Sequence, residues 1–212
     1  MEENTGDQAI YKYKVILIGD SSVGKTSLII RFCDDKFEGN AIATLGIDTR
    51  TKYVIRKDKK IELQIWDTAG QEKFKSLSKS CCNQMDGIVF VYDMGKNISF
   101  KNIRDWYVNL KDVVDYNTVG LALVGNKCDI EQKEVDTSRG EEFASKHNMT
   151  FVEASAKNNI NVNEIFTNLV DSLIKLDSES NCRRAKSKAG KIDSSFTIDE
   201  EDKNKKKKKM CC

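Results

Sequence analysis

A short loop bounded by glycines carries the first residues that could do chemistry. It follows the apolar run 15–18 and reads Gly19-Asp20-Ser21-Ser22-Val23-Gly24-Lys25-Thr26. Backbone N–H groups of such a loop, and of the helix after it, point at anionic oxygens. The Lys25 ammonium can reach the β- and γ-phosphates of a nucleotide, and the Thr26 hydroxyl is a hard ligand that suits Mg²⁺. This phosphate loop predicts polyphosphate binding, against the alternative of a glycine turn with a stray lysine. The predicted contacts are Ser21, Ser22, Val23, Gly24, Lys25, Thr26 and Ser27.

A second group of residues follows the third apolar run, at Asp67, Gly70 and Gln71. Asp67 is placed to be the acidic partner in a Mg²⁺ shell, because carboxylate oxygens suit that ion. Gly70 can turn its N–H onto a γ-phosphate, and Gln71 can orient a water molecule for in-line attack. The segment predicts triphosphate hydrolysis, with Gln71 as the catalytic residue.

Two later segments can choose the base of the nucleotide. They read Asn126-Lys127-Cys128-Asp129 and Ser155-Ala156-Lys157. The Asp129 carboxylate can accept hydrogen bonds from the N1–H and 2-amino groups of guanine. Adenine lacks both donors in that arrangement, so ATP would leave the charge of the carboxylate unpaired. A backbone N–H of the 155–157 segment can donate to guanine O6. The residues predicted to bind the base are Asn126, Lys127, Asp129, Ser155, Ala156 and Lys157.

Asp129 or Gln71 alone would be interpreted as a solvated loop residue. Four motifs in this order and at these intervals resemble the Ras superfamily of small GTPases, and the resemblance covers residues 11–176. Within that superfamily the stretches 45–48, 62–72 and 91–93 are similar to the Rab branch. The terminal Cys211-Cys212 pair is similar to the ending of Rab proteins as well.

The resemblance implies roles that the residues alone do not establish. Thr44 would bind Mg²⁺ and the γ-phosphate, so that Thr26, Thr44 and Asp67 together hold the metal. Phe37 would stack on the guanine ring with the Lys127 stem on the other face; a buried aromatic at a helix end is the alternative for Phe37. The implied cofactor is Mg²⁺, with GTP as substrate and GDP as product. The implied partners are effectors, an exchange factor, a GTPase-activating protein, Rab escort protein and GDP-dissociation inhibitor, acting on a monomer.

Three positions depart from the family pattern. Rab proteins usually have Phe where this chain has Thr49, and Tyr-Tyr-Arg-Gly where it has residues 81–84, which begin with two cysteines. Ala41 stands where many small GTPases place an aromatic over the phosphates. None of these changes touches the chemistry. Thr49 and Cys81 fall where Rab proteins build an apolar effector surface, so the usual set of effectors is not implied.

Charge is unevenly distributed along a chain whose net charge is only +2. Residues 177–212 hold eleven basic and seven acidic residues, so they carry a net +4 and the rest a net −2. This balance argues against nucleic-acid binding by the whole chain and for a basic tail that meets an anionic surface. The tail lacks apolar periodicity and is expected to be disordered.

The chain ends in five lysines, Met210 and the two cysteines Cys211 and Cys212. A C-a-a-X box needs its cysteine four residues from the end, so this ending is not one. By resemblance both cysteines would receive geranylgeranyl groups. Two lipids beside a polybasic run suffice for stable anchoring. A solubilising or nuclear-import lysine run is the alternative. The expected location is the cytoplasmic face of endomembranes, with a soluble cytosolic pool.

Cysteine usage and the N-terminus fit that location. The seven cysteines show no C-x-x-C spacing, and His147 is the only histidine, so a zinc site is not expected. Residues 1–8 are polar and acidic rather than a secretory signal, and no apolar stretch approaches the length of a bilayer span. Reduced thiols in the cytosol are the expectation.

Strands must position these motifs. Short continuous apolar runs predict them at Lys14–Ile18, Thr49–Ile55, Ile61–Trp66, Gly87–Tyr92, Leu121–Val124 and Phe151–Glu153. Helical patterns predict helices at Lys25–Cys33, Glu72–Cys82, Ser99–Asp115, Ser138–His147 and Val162–Leu176. Their alternation predicts a doubly wound α/β fold, with a mostly parallel six-stranded sheet, one edge hairpin and about five helices. The predicted layout is a flexible N-terminus (1–10), a GTP-binding domain (11–176) and the tail (177–212).

Three functions compete. The first is a switch that binds GTP with Mg²⁺, hydrolyses it slowly and so regulates vesicle trafficking. The second is a scaffold that binds GTP without useful turnover, against which Gln71, Thr44 and Asp67 argue. The third is a nucleoside or nucleotide kinase that shares only the phosphate loop. The guanine-binding segment 126–129 and the lack of a lid-like arginine cluster argue against a kinase.

Overall fold

A six-stranded sheet forms the centre of the protein, for which a computed structural model describes residues 10–39, 44, 46–68 and 81–189. The strands are β1 Ile10–Ile18, β2 Ile47–Arg56, β3 Lys59–Thr68, β4 Gly87–Asp93, β5 Gly120–Asn126 and β6 Thr150–Ala154. Their order is β2-β3-β1-β4-β5-β6, and only the β2–β3 pair is antiparallel. The predicted sheet and its edge hairpin are confirmed, with all six strands longer than predicted because ladder pairing extends beyond the apolar runs.

Four helices are described: α1 Lys25–Asp34, α2 Asn97–Leu110, α3 Thr137–Lys146 and α4 Val162–Ala189. The prediction for α2 was wrong at both ends, since the helix begins two residues earlier and the chain turns after Leu110 instead of continuing to Asp115. The fifth predicted helix, Glu72–Cys82, lies outside the described residues except for Cys81 and Cys82, which are helical.

The helices cover both faces of the sheet and bury two apolar clusters. One cluster joins alternate β1 residues to α1 and α4, where Phe32 and Phe166 stack with ring centroids 3.9 Å apart. The other joins the opposite face of the sheet to α2 and α3, through Phe90, Ile103 and Ala144. Strands buried on both faces explain why the sequence shows continuous apolar runs. The predicted apolar stripe of α4 is confirmed as buried: Val162, Ile165, Phe166, Leu169, Val170 and Leu173.

The helix α4 differs from the sequence expectation beyond Leu176. The chain divides into two units, Met1–Leu176 and Asp177–Cys212. Disorder was expected from residue 177 onward, but residues 177–189 continue α4 as helix. Extension of an existing helix adds one hydrogen bond per residue without a new nucleus, and the alanine, lysine and arginine residues there favour it. The rest of the predicted tail lies outside the described residues. Among those described, no helix combines the length and the apolar character that a membrane crossing requires.

Candidate nucleotide site

A cavity of about 440 Å³ opens at the carboxyl ends of the parallel strands. Its volume is in the range of small-molecule sites, and its place is where doubly wound sheets bind ligands. Thirteen of the predicted site residues line it: Ser21, Ser22, Gly24, Lys25, Thr26, Ser27, Phe37, Thr44, Asn126, Lys127, Asp129, Ala156 and Lys157. Residues from segments far apart in the sequence therefore line the same cavity.

The phosphate loop joins β1 to α1 and depends on Gly24. This residue has φ +96°, a conformation that L side chains rarely adopt, and a Cβ there would lie 2.3 Å from Asn126 Nδ2. The same amide nitrogen donates to the Val23 carbonyl at 2.8 Å. Val23 itself is buried and is not part of the cavity lining. Because Gly24 has no Cβ, the Asn126 side chain can approach the phosphate loop and hydrogen-bond it to the end of β5.

The Lys25 side chain is buried, and its ammonium donates to the carbonyls of Gly19 at 2.9 Å and Asp20 at 2.8 Å. Burial lowers the pKa of Lys25 to about 8, while the nearby carboxylates of Asp67 and Asp20 act in the opposite direction. A bound polyphosphate would add negative charge beside this ammonium and restore its preference for the protonated form.

The three residues predicted to hold Mg²⁺ meet at one point. Asp67 Oδ2 accepts hydrogen bonds from Thr26 Oγ1 at 2.5 Å and from Thr44 Oγ1 at 3.2 Å, and the two hydroxyl oxygens are 2.8 Å apart. Asp67 Oδ1 is buried, with no hydrogen-bond partner among the residues that the structure describes. Burial raises the pKa of Asp67, which the two hydroxyls and Lys25 offset in part. Two hydroxyls and one under-coordinated carboxylate fit a Mg²⁺ ion that also binds phosphates.

The far end of the cavity carries an acceptor without a partner. Asp129 follows β5, is half-buried and lines the cavity. Its Oδ1 atom is buried and meets no hydrogen-bond donor within the described parts of the chain. A buried carboxylate oxygen left unpaired costs free energy, so this position favours a ligand that brings N–H donors. Guanine has such donors on N1 and N2.

Lys127 lines the cavity and contacts two other segments of the chain. Its ammonium donates to Asp93 Oδ2 at 2.7 Å and to the Ser22 carbonyl at 2.9 Å, which holds its stem along the cavity wall. Asp93, at the end of β4, also accepts from the Gly95 N–H at 2.9 Å. Phe37 lines the cavity and is 38% exposed, so it is not the buried helix-end aromatic of the alternative interpretation.

The 155–157 segment divides into a buried and a lining part. Ser155 is fully buried, its hydroxyl accepts from the Asn158 N–H at 3.0 Å, and it is not part of the cavity lining. Ala156 and Lys157 line the cavity, and the Ala156 N–H donates to Asn126 Oδ1 at 3.4 Å. Ser155 thus shapes the turn, while its two successors face the site.

Some predicted residues lie outside the described ranges, and some residues that line the cavity were not predicted. Gly70 and Gln71 lie outside the described residues, as does Ala41. Four lining residues belong to none of the predicted sets, namely Glu38, Gly39, Thr68 and Ile130. Each is adjacent in sequence to a predicted residue or to its neighbour, and that adjacency was the only signal. Asp93 could have been found, because it directly follows a predicted strand whose carboxyl end had to face the site.

Comparison with known proteins supports the class of protein that the site suggests. The sequence model of the Ras family matches residues 14–175. The chain is 41% identical to the Ras-related protein Rab-3A of Homo sapiens over 180 residues, 84% of this chain and 81% of the relative. It is 44% identical to the Ras-related protein Rab-13 of Bos taurus over 163 residues, 76% of this chain and 80% of the relative. It is 40% identical to the Ras-related protein Rab-3 of Caenorhabditis elegans over 171 residues, 80% of this chain and 78% of the relative.

The chain therefore belongs to the Ras family, in its Rab branch. It is a small GTPase: it binds guanine nucleotide, hydrolyses GTP and acts as a switch in vesicle trafficking.

Proposed function

We propose that the cavity residues divide the work of a GTP switch between a phosphate end and a base end. At the phosphate end the N–H groups of the phosphate loop and the Lys25 ammonium bind the β- and γ-phosphates. At the base end Asp129 accepts from guanine N1–H and the 2-amino group, while Phe37 and the Lys127 stem stack on the ring. The observation that carries this proposal is that both sets of residues line one cavity of about 440 Å³.

Thr26, Thr44 and Asp67 hold Mg²⁺ in this proposal. Their oxygen atoms already lie within hydrogen-bond distance of one another, which supports a shared ion. When bound, the ion neutralises charge on the β- and γ-phosphate oxygens. Thr44 also contacts the γ-phosphate, so its position depends on whether GTP or GDP is bound.

Hydrolysis depends on Gln71, which orients the attacking water, and on Gly70, whose N–H meets the γ-phosphate. Loss of that phosphate releases Thr44 and Gly70 and lowers the affinity for an effector. Unassisted hydrolysis is slow because residues 35–48 contain no arginine that could stabilise the transition-state charge in cis. A GTPase-activating protein supplies that arginine, and an exchange factor replaces GDP.

The tail anchors the switch in the proposed cycle. Geranylgeranyl groups on Cys211 and Cys212 and the lysine run 205–209 attach the chain to the cytoplasmic face of an endomembrane. Rab escort protein presents the chain for lipidation, and GDP-dissociation inhibitor maintains a cytosolic pool. Imaging the tagged chain beside its Cys211→Ser/Cys212→Ser variant tests this step; a chain that is diffuse in both forms would remove the anchoring proposal.

A single-turnover assay separates the switch from a GTP-binding scaffold. Gln71→Leu should keep nucleotide affinity within about twofold of the parent and suppress hydrolysis by a factor on the order of 10 or more, with and without added GTPase-activating protein. A parent chain that never hydrolyses bound GTP would favour the scaffold. Equal turnover of parent and variant would contradict the role of Gln71. A parallel assay for phosphate transfer to a second nucleotide would detect a kinase.

A further inference from the structure

Arg31 contacts the base end of the site without lining it. The residue belongs to α1 and its side chain is 15% exposed. Its Nε atom donates to the Ala156 carbonyl at 3.0 Å, and Nη2 donates to the Lys157 carbonyl at 3.3 Å. Its Nη1 atom donates to the Asp35 carbonyl at 2.9 Å and to Asp35 Oδ1 at 3.3 Å. One guanidinium therefore joins the helix of the phosphate end to the 155–157 segment of the base end.

These hydrogen bonds fix the direction of a peptide plane. In a trans peptide the carbonyl and the N–H point to opposite sides, and all described peptide bonds are trans. The Ala156 carbonyl and the Lys157 N–H belong to the same peptide. Because Arg31 holds that carbonyl, the Lys157 N–H is directed away from Arg31. Ala156 and Lys157 themselves line the cavity. The following N–H, of Asn158, is taken by Ser155 Oγ.

We propose that Arg31 is a positioning residue for recognition of the 6-oxo group of guanine. Its guanidinium orients the Ala156–Lys157 peptide so that the Lys157 N–H can donate to O6. The inference rests on the proposed function, since it assumes a guanine nucleotide in the cavity. Asn159 supports the arrangement from the same turn, because its Nδ2 donates to Asp35 Oδ1 at 3.2 Å.

The geometry requires arginine rather than any cation. A planar guanidinium presents five N–H donors in a fixed fork and can bind two carbonyls and Asp35 at once. A lysine ammonium is a compact point charge on a flexible stem and cannot reproduce the three directions. Arg31→Lys therefore keeps the charge and the apolar stem while it loses the control of the peptide plane.

Nucleotide analogues separate this role from a general weakening of the fold. The nucleotide-stripped full chain is titrated in magnesium buffer with three nucleotides: GDP, IDP and 6-thio-GDP. IDP keeps O6 but lacks the 2-amino group. In 6-thio-GDP a sulfur atom, which is a weak acceptor, replaces O6. Arg31→Lys should weaken GDP and IDP by about tenfold each, the worth of one well-placed hydrogen bond, and 6-thio-GDP by no more than about twofold. Thermal unfolding of each variant checks that the fold is retained.

Two further variants sharpen the test. Arg50→Lys is the matched control, because Arg50 is 38% exposed and pairs with Asp34, the last residue of α1. It should leave all three affinities unchanged. Asp35→Asn weakens one support of Arg31 and should give the same ligand pattern at about two- to threefold, which keeps the test valid if Arg31→Lys does not fold.

Equal losses for all three nucleotides, or no loss for GDP, would overturn the role of Arg31 while the proposed function stands. A parent chain that binds neither GDP nor IDP would instead overturn the proposed function.

Discussion

The indole Nε1 of Trp106 donates to Asp20 Oδ1 across 2.9 Å and so attaches the phosphate loop to α2. Asn102, one turn earlier on the same helix, donates to the other oxygen of that carboxylate at 2.7 Å. The Asp20 carbonyl in turn accepts from the Lys25 ammonium. A helix on the surface of the sheet is therefore part of the support of the phosphate end.

Trp106→Phe keeps an aromatic ring in the core but removes the indole donor and leaves a smaller ring at a buried position. We expect it to cost about 1.5 kcal/mol of unfolding free energy, because the lost hydrogen bond is to a charged group. Dissociation of a fluorescent GDP should become roughly three- to tenfold faster. Val108→Ala, on the exposed face of α2, should change neither quantity. Unchanged GDP dissociation in Trp106→Phe would show that α2 does not support the phosphate loop.

Binding of nucleotide should take up a proton in alkaline solution. The pKa of Lys25, at about 8 without ligand, rises when the polyphosphate surrounds the ammonium. At about pH 9 the free protein holds Lys25 mostly neutral and the complex holds it charged, so binding should take up close to one proton. Calorimetry of GDP binding in buffers of different ionisation enthalpy measures this number. Near pH 7 the same contribution should be small, and equal proton counts at both pH values would contradict the assignment to Lys25.

Removal of the Asp67 carboxylate should abolish the response to magnesium. In the parent, chelation of Mg²⁺ with EDTA is expected to accelerate GDP release by about tenfold or more, since the ion links the phosphates to the protein. Asp67→Asn should release GDP rapidly with or without EDTA. Asp48→Asn is the control, because Asp48 is an exposed carboxylate that lies opposite Asp67 in the register of the β2–β3 hairpin. It should keep the EDTA response of the parent. If Asp67→Asn kept the EDTA response of the parent, Asp67 would not belong to the magnesium site.

Acid should weaken the fold through its one histidine. His147 packs against Tyr107 and Phe143, and burial, followed by the charges of Lys146 and Lys111, lowers its pKa below the ordinary 6.5. The unfolded chain then binds the proton more readily, so the stabilisation is complete above about pH 6.5 and falls as the pH drops towards the folded pKa. Denaturant unfolding of GDP-bound protein between pH 7.5 and 5 should show a steeper loss in the parent than in His147→Gln. Parallel curves would exclude this contribution.

Much of the fold could be predicted because local and global signals agree. The strands were visible as continuous apolar runs, since burial on both faces leaves few polar positions, and α4 was visible as an apolar stripe. The end of α2 could not be predicted, because residues 111–115 contain no glycine or proline that would mark it. The chain turns there through N–H to carbonyl hydrogen bonds from Lys111 to Val108 and from Val113 to Leu110. The extension of α4 to Ala189 could not be predicted, because residues 177–189 lack the apolar periodicity that marks a packed helix.

The candidate site was predictable to the extent that its residues form local motifs. Its supports were not, because the Trp106–Asp20 and Arg31–Ala156 hydrogen bonds join residues 86 and 125 positions apart. Val23 and Ser155 belong to predicted motifs but do not line the cavity. The sequence pattern alone does not say which members of a motif face the cavity.

Calorimetry on the nucleotide-stripped full chain in magnesium buffer tests the central claim most directly. The parent should bind GDP and GTP tightly and ATP and XDP at least about a hundredfold more weakly, because only guanine brings two N–H donors to Asp129. Asp129→Asn offers an amide instead and should shift the preference from GDP towards XDP. No heat with GDP or GTP, or equal affinity for GTP and ATP, would contradict the account.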